Sequence, residues 1–265
     1  LTRRGNGYPV ARREGGMSKI TDAMNRSRRE QERPAVGAAA TAGSIPVVFG
    51  ASCVDLPASD IEAYQALSSD VYLALPDASS RIVMLASAER GAGTSTVAHE
   101  FAATLAVNGE VKTLLIDANL RRPVLHDIFG VQRTPGISDH VLADAPLTDC
   151  LRDLGVPNLT LLPAGRPAVA PSRILSDPRI DGMLSELRDR FDLIVIDSAP
   201  LVPFAEGIQL SRKVDGVVMV IRSAATKQAS ARRVLALLDD AGARVLGSVL
   251  NGRRFYIPRF IYDRL

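Results

Sequence analysis

Residues suited to redox or metal chemistry are scarce in this 265-residue chain, which has two cysteines and three histidines. Cys53 and Cys150 stand far apart without metal-ligand spacing, and the chain carries no recognisable secretory signal. A disulfide-stapled scaffold is therefore excluded, and a reducing cytoplasm is the expected setting. His99, His126 and His140 likewise have no ligating partners at useful spacing, so surface or helix-packing roles are expected for them. Charge is absent from residues 34–54. Such a stretch raises the question of a membrane span, but Pro34, Gly37, Gly43, Pro46 and Gly50 interrupt a run made mostly of Ala, Ser and Thr. Residues 34–59 are accordingly expected to form a flexible linker.

The formal charge of +3 is unevenly placed: residues 1–33 hold nine basic against four acidic side chains, which leaves the remainder slightly acidic. Residues 1–33 form a basic arm. Its first sixteen residues show no apolar periodicity and are assigned no fold, as an upstream extension or a cloning remnant. In residues 17–33, Ile20, Ala23 and Met24 recur at helical spacing among Lys19, Arg26, Arg28 and Arg29. That spacing predicts a short basic amphipathic helix able to meet a partner or an anionic surface, with a solvated charged arm as the alternative.

From residue 60 onward the pattern alternates between strand and helix. Apolar runs rich in β-branched residues occur at 82–86, 113–116, 159–162, 193–196, 217–221 and 245–250, and helical stretches include 96–107, 180–190 and 227–240. Short, almost wholly apolar strands separated by helices predict an α/β domain over residues 60–265. Its fold class is a doubly wound, mostly parallel sheet with helices on both faces and a ligand site at the carboxyl ends of the strands. At 46% hydrophobic content the chain can bury one core of that size.

The first of these strands runs into Ala88-Glu89-Arg90-Gly91-Ala92-Gly93-Thr94-Ser95-Thr96, and a helix follows at once. A strand, a glycine loop and a helix in succession form a phosphate cradle, because small residues let backbone N–H groups converge while the helix N-terminus contributes its dipole. Two later strands end in Asp117 and Asp197, whose carboxylates project at the same edge. There they can hold Mg²⁺ directly or through water, with the Ser95 hydroxyl as a further ligand. Capping of following helices is the competing use of the two aspartates.

On these residues the chain resembles the bacterial tyrosine kinases of capsule and exopolysaccharide synthesis, which belong to the MinD/ParA class of P-loop ATPases with deviant Walker motifs. The likeness covers about residues 60–265. Ile116-Asp117-Ala118-Asn119-Leu120-Arg121 is similar to the family's second Walker element, and Leu193 to Asp197 to its Walker B strand. Val249-Leu250-Asn251 matches its late strand ending in a nucleotide-side Asn. Thr134 to Asp139 and Leu162 to Gly165 follow the family's order. The resemblance implies ATP or ADP with Mg²⁺ as cofactors, contacted by Arg90, Gly91, Ala92, Gly93, Thr94, Ser95, Thr96 and Asn251. It implies catalytic roles for Asp117 and Asn119, and metal ligation by Ser95, Asp117 and Asp197.

Four departures qualify this assignment. Thr94 occupies the place of the loop lysine, whose loss costs about 1.5–3 kcal/mol in binding and about a hundredfold to a thousandfold in rate. Asn119 replaces the second aspartate and weakens any general base. Gln65 and Ser68 replace the arginines of an assembly helix. The last residues hold only Tyr256 and Tyr262 where the family has a tyrosine cluster. The expectation is a degenerate kinase-like protein with weakened nucleotide binding and impaired phosphotransfer. It would be cytoplasmic, peripheral at the inner membrane through a membrane-embedded chain-length or co-polymerase partner, and capable of self-association, with no nucleic-acid partner. Two alternatives stand beside it. One is an active tyrosine kinase in which Arg90 compensates for the lysine. The other is a MinD/ParA-like positioning ATPase, against which Glu89 replaces that class's signature lysine. Arg121, Arg122, Arg253 and Arg254 form basic pairs able to meet phosphate, lipid or a partner, with solvated faces as the default, and Phe255 to Leu265 reads as an amphipathic anchor packed on the domain or on a partner.

Overall fold

The computed structural model describes residues 45–49, 52–56, 58–76, 80–109 and 111–252. The chain divides into two compact units, Leu1–Val36 and Gly37–Leu265. The first unit, and with it the expected basic arm and helix, lies outside the described residues. So do Arg253, Arg254, Tyr256, Tyr262 and the expected anchor at 255–265.

The second unit begins with β1 (Ile45–Phe49) and β2 (Ser52–Leu56), an antiparallel pair registered from Ile45 opposite Leu56 to Phe49 opposite Ser52. This hairpin falls inside the stretch expected to be a linker. The strands β1 and β2 contain Val47, Val48, Phe49, Cys53 and Val54, residues that favour extended backbone. Helix α1 (Ala58–Ala74) follows.

The principal sheet has seven strands. In chain order they are β3 (Arg81–Ser87), β4 (Thr113–Asp117), β5 (Arg152–Asp153), β6 (Leu159–Leu162), β7 (Leu193–Asp197), β8 (Gly216–Arg222) and β9 (Val245–Asn251). Across the sheet the order is β5-β6-β4-β7-β3-β8-β9, parallel throughout except for the short edge pair β5 and β6. Between the strands lie α2 (Thr94–Gly109), α3 (Leu125–Phe129), α4 (Ile137–Ala143), α5 (Leu147–Cys150), α6 (Pro171–Leu175), α7 (Arg179–Arg188), α8 (Glu206–Ser211) and α9 (Gln228–Asp240). The doubly wound fold expected from the alternating pattern is the one observed, and each apolar run named above is a strand.

Successive side chains of a strand point to opposite faces, so a strand buried on both sides divides its residues between two cores. Ile82, Met84 and Ala86 of β3 pack with Leu114 and Ile116 of β4 and with Ile194 and Ile196 of β7, beneath α4, α6, α7, α8 and α9. Val83 and Leu85 face the other way with Leu115, Val195 and Val218, beneath α1 and α2. In α7 the buried residues Ile180, Met183, Leu184 and Leu187 follow the i, i+3, i+4, i+7 pattern of one helix face. In α2 burial is more extensive: Ala98, Ala102, Ala103 and Ala106 bring the helix close to the sheet, and Phe101 is fully enclosed. Burying such a ring contributes about 1.5–3 kcal/mol. The rigid stack of β3, α2 and the flanking strands holds the glycine loop at the carboxyl edge of the sheet.

Candidate functional site

The loop between β3 and α2 turns sharply at Gly91 (φ 77°) and Gly93 (φ 84°), backbone regions that side chains disfavour. Gly93 also leaves no room for a side chain, since a Cβ there would lie 2.1 Å from Asn251 Nδ2. Several tethers fix the loop. Asn251 Nδ2 donates to the Ala92 carbonyl at 3.0 Å, and Arg222 Nη1 donates to the Gly91 carbonyl at 2.8 Å. Ser230 Oγ at the start of α9 donates to the Glu89 carboxylate, and Ser87 Oγ to the Glu89 carbonyl. The Asn251 amide thus lies against the loop, at the end of β9.

Beneath the loop, parallel pairing of β4 with β7 sets Asp117 opposite Asp197. Both residues are fully buried. Ser95 Oγ donates to Asp197 Oδ2 at 2.5 Å, while Asp197 Oδ1 is buried without a hydrogen-bond partner. Asp117 accepts backbone N–H bonds from Asn119 at 3.2 Å and from Val124 and Leu125 at 3.1 Å each. It therefore does organise the turn into α3, as the capping alternative had it, whereas the Asp197 carboxylate caps no helix among the described residues. Burial pushes the Asp117 carboxyl up to about 7, against the pull of its backbone donors. Asp197 is raised well above the ordinary carboxylate range by burial and then by the neighbouring Asp117 charge. Two carboxylates this close, out of water, resist ionising together.

A cation would relieve that repulsion, and the donor set fits Mg²⁺. Ser95 Oγ and the unpartnered Asp197 oxygen are hard oxygen donors that would hold the ion beside phosphate and water. Bound there, Mg²⁺ would neutralise phosphate charge. Asp117, engaged by three backbone donors, is placed to act through Asp197 or through water.

The cavity above these carboxylates has a volume of about 290 Å³ and is lined by Arg90, Gly91, Ala92, Gly93, Thr94, Ser95, Thr96 and Asn119, together with Arg121, Arg122, Phe204 and others. The residues expected to contact nucleotide from the loop are thus brought together in one cleft. Thr94 is nearly buried at 9% exposure, the first residue of α2. Asn119 accepts the Arg122 backbone N–H at 3.3 Å, which gives it a turn-forming role. Gln65 on α1 is exposed. The histidines pack as expected: His99 Nδ1–H donates to the Ser95 carbonyl at 3.0 Å, and His140 Nδ1–H to that of Ala145 at 2.8 Å.

Sequence reasoning missed one cluster. Arg121 forms an ion pair with Glu206, which is 3% exposed, and its guanidinium lies 4.2 Å from the centre of the Phe204 ring. Arg90 lies over the same ring at 5.4 Å. The pairing of Arg121 with Glu206 joins residues 85 positions apart. No periodic pattern marks Glu206, and the only available signal was an acidic residue soon after a Walker B strand.

No protein-family profile matches the chain. Among known proteins it is similar to tyrosine-protein kinase YwqD of Bacillus subtilis, 28% identical over 193 residues, covering 73% of this chain and 81% of that protein. It is also similar to tyrosine-protein kinase etk of Escherichia coli, 28% identical over 200 residues, but those residues amount to 75% of this chain and 27% of the longer relative. Among solved structures the VpsO kinase domain is 31% identical, with a TM-score of 0.66 over 74% of this chain and 97% of that domain. MinD of Pyrococcus furiosus, 24% identical with a TM-score of 0.54 over 69% of this chain and 78% of that one, shares the fold. At such identity over nearly the whole of a solved kinase domain, the chain belongs to the bacterial tyrosine kinase family.

Proposed function

We propose that this chain binds ATP or ADP with Mg²⁺ in the loop cleft, transfers phosphate poorly, and acts as a cytoplasmic regulatory partner of a membrane-embedded polysaccharide chain-length or co-polymerase protein. One observation carries the reading. The nucleotide cradle is intact in its backbone, its serine and its buried aspartates, yet Thr94 stands at the position of the loop lysine, enclosed and uncharged. Backbone donors, the α2 dipole and a Ser95-bound cation can hold phosphates. A threonine hydroxyl cannot supply the positive charge that stabilises a phosphoryl group in flight, a contribution of about a hundredfold to a thousandfold in rate. Asn119 adds to the deficit, because its amide already serves the turn and cannot accept a proton from a tyrosine.

The regulatory role rests on family membership and on these substitutions together: a protein that keeps the nucleotide-sensing loop but not its chemistry can still change its surface with the ligand it holds. The positioning-ATPase alternative gains nothing from Glu89, whose carboxylate is tied to Ser230.

The test combines calorimetric titration of ADP and ATP, with and without Mg²⁺, with incubation in radiolabelled ATP and Mg²⁺. Measurable Mg²⁺-dependent binding with negligible tyrosine labelling is the expected result, and Thr94→Lys should raise labelling. Robust labelling by the wild-type chain that Asp117→Ala abolishes would show an active kinase instead.

A further inference from the structure

We infer that Arg90 is the cation that contacts the nucleotide phosphates in this cleft, taking over electrostatic work that Thr94 cannot do. The inference rests on the nucleotide-binding reading above and assigns the charge that makes such binding possible. Arg90 directly precedes Gly91 and lines the same cavity as Gly93, Thr94 and Ser95. The backbone around it is pinned, at Glu89 by Ser87 and at Gly91 by Arg222, so its side chain starts from a fixed point three residues from Gly93.

Availability separates Arg90 from Arg121 and from the nearby Arg222, and chain position separates it from Arg122, an exposed cleft residue that sits outside the glycine loop, on the turn after β4. Arg121 is committed twice, to the buried Glu206 carboxylate and to the Phe204 ring at 4.2 Å. Removing it to serve a ligand would strand a buried charge. Arg222 is occupied with the Gly91 carbonyl. Arg90 is exposed, and among the described residues no carboxylate pairs with it. Its recorded contact is the Phe204 ring at 5.4 Å, near the outer limit for a cation–π interaction. The adjacent acidic residue, Glu89, is held by Ser230 on α9 and does not neutralise it. A charge-assisted bond to a phosphate is stronger than a long ring contact in water, so a polyphosphate draws Arg90 away from Phe204 while Arg121 stays behind. The ring serves as the resting place of the guanidinium.

The experiment is calorimetric titration of the full chain with Mg²⁺-ADP and Mg²⁺-ATP, comparing wild type, Arg90→Ala, Arg90→Lys and Arg233→Ala. Arg233, exposed on α9, controls for the loss of one positive charge. Arg90→Ala should weaken both nucleotides about tenfold or more. Arg90→Lys should retain most of the affinity, and Arg233→Ala should match wild type. Thr94→Lys placed in the Arg90→Ala background should restore binding, because it returns a cation to the phosphates. Circular dichroism melts confirm that the variants are folded. Wild type that binds while Arg90→Ala binds within twofold of it overturns the role of Arg90 and leaves nucleotide binding standing. A wild-type chain that binds neither nucleotide overturns the nucleotide-binding reading, and this inference falls with it.

Discussion

Gly93 and Asn251 occupy each other's space so closely that the loop has a single solution at that point. An alanine at position 93 would set its Cβ 2.1 Å from the Asn251 amide nitrogen and force a side chain onto a backbone at φ +84°. Gly93→Ala is therefore expected to lose about 1–3 kcal/mol of stability and to abolish nucleotide binding, as urea melts and titration would measure. The buried aspartates predict a pH dependence. Asp117 titrates near 7 in the folded chain but at about 3.9 when unfolded, so between those values the folded state holds the extra proton. The stability due to that proton is complete below the lower value and is lost as pH rises through about 7. The ligand-free chain should accordingly melt at lower temperature at pH 8 than at pH 5, and Asp117→Asn should flatten that slope. Metal binding needs the carboxylates ionised, so Mg²⁺ affinity should change in the opposite sense and rise over the same interval.

At the level of elements, the ion pair between Arg121 and Glu206 ties the turn after β4 to the start of α8, and Glu206 is almost wholly enclosed. Truncating the arginine alone leaves that carboxylate buried without its partner, at a cost of about 3 kcal/mol by analogy with other buried pairs, reduced here because the Arg121 side chain is 36% exposed. Arg121→Ala should thus destabilise more than the double variant Arg121→Ala/Glu206→Gln, a difference that a double-mutant cycle in denaturant would read. Helix α7 offers the reverse case. Gly182 sits within that helix with open space where a side chain would go. Gly182→Ala should stabilise the chain by about 0.5–1 kcal/mol, seen as a higher melting temperature, with nucleotide affinity unchanged. The helices and strands with strong periodicity were legible in the sequence, α7 and β7 among them. The short helices α3 to α6 were not, because elements of four to seven residues carry too few positions to set a period and are fixed by what they pack against. Strands β1 and β2 were overlooked for a different reason: proline and glycine in their neighbourhood favoured a linker, while the pairing of the two short runs supplied the order.

For the molecule as a whole, the cleft is lined by the end of β3, the glycine loop, the start of α2 and the segments that follow β4 and β7, so a ligand that fills it stabilises the entire sheet edge. Mg²⁺-ADP at a hundredfold excess over its Kd should add about 2.7 kcal/mol to the unfolding free energy, and a thermal melt that fails to move with Mg²⁺-ADP would show that the cleft is not a nucleotide site. The sequence by itself determined the doubly wound sheet, the glycine loop and the two strand-end aspartates, because alternation of apolar runs, small residues and chain position are local properties that survive in a one-dimensional record. Tertiary structure alone decided what those residues face. It set Asp117 opposite Asp197, tied Ser95 to one and three backbone donors to the other, locked Arg121 to Glu206, and left Arg90 resting on Phe204. Such partnerships join positions far apart along the chain, and a charge is committed or available only through the distance to its neighbours in space.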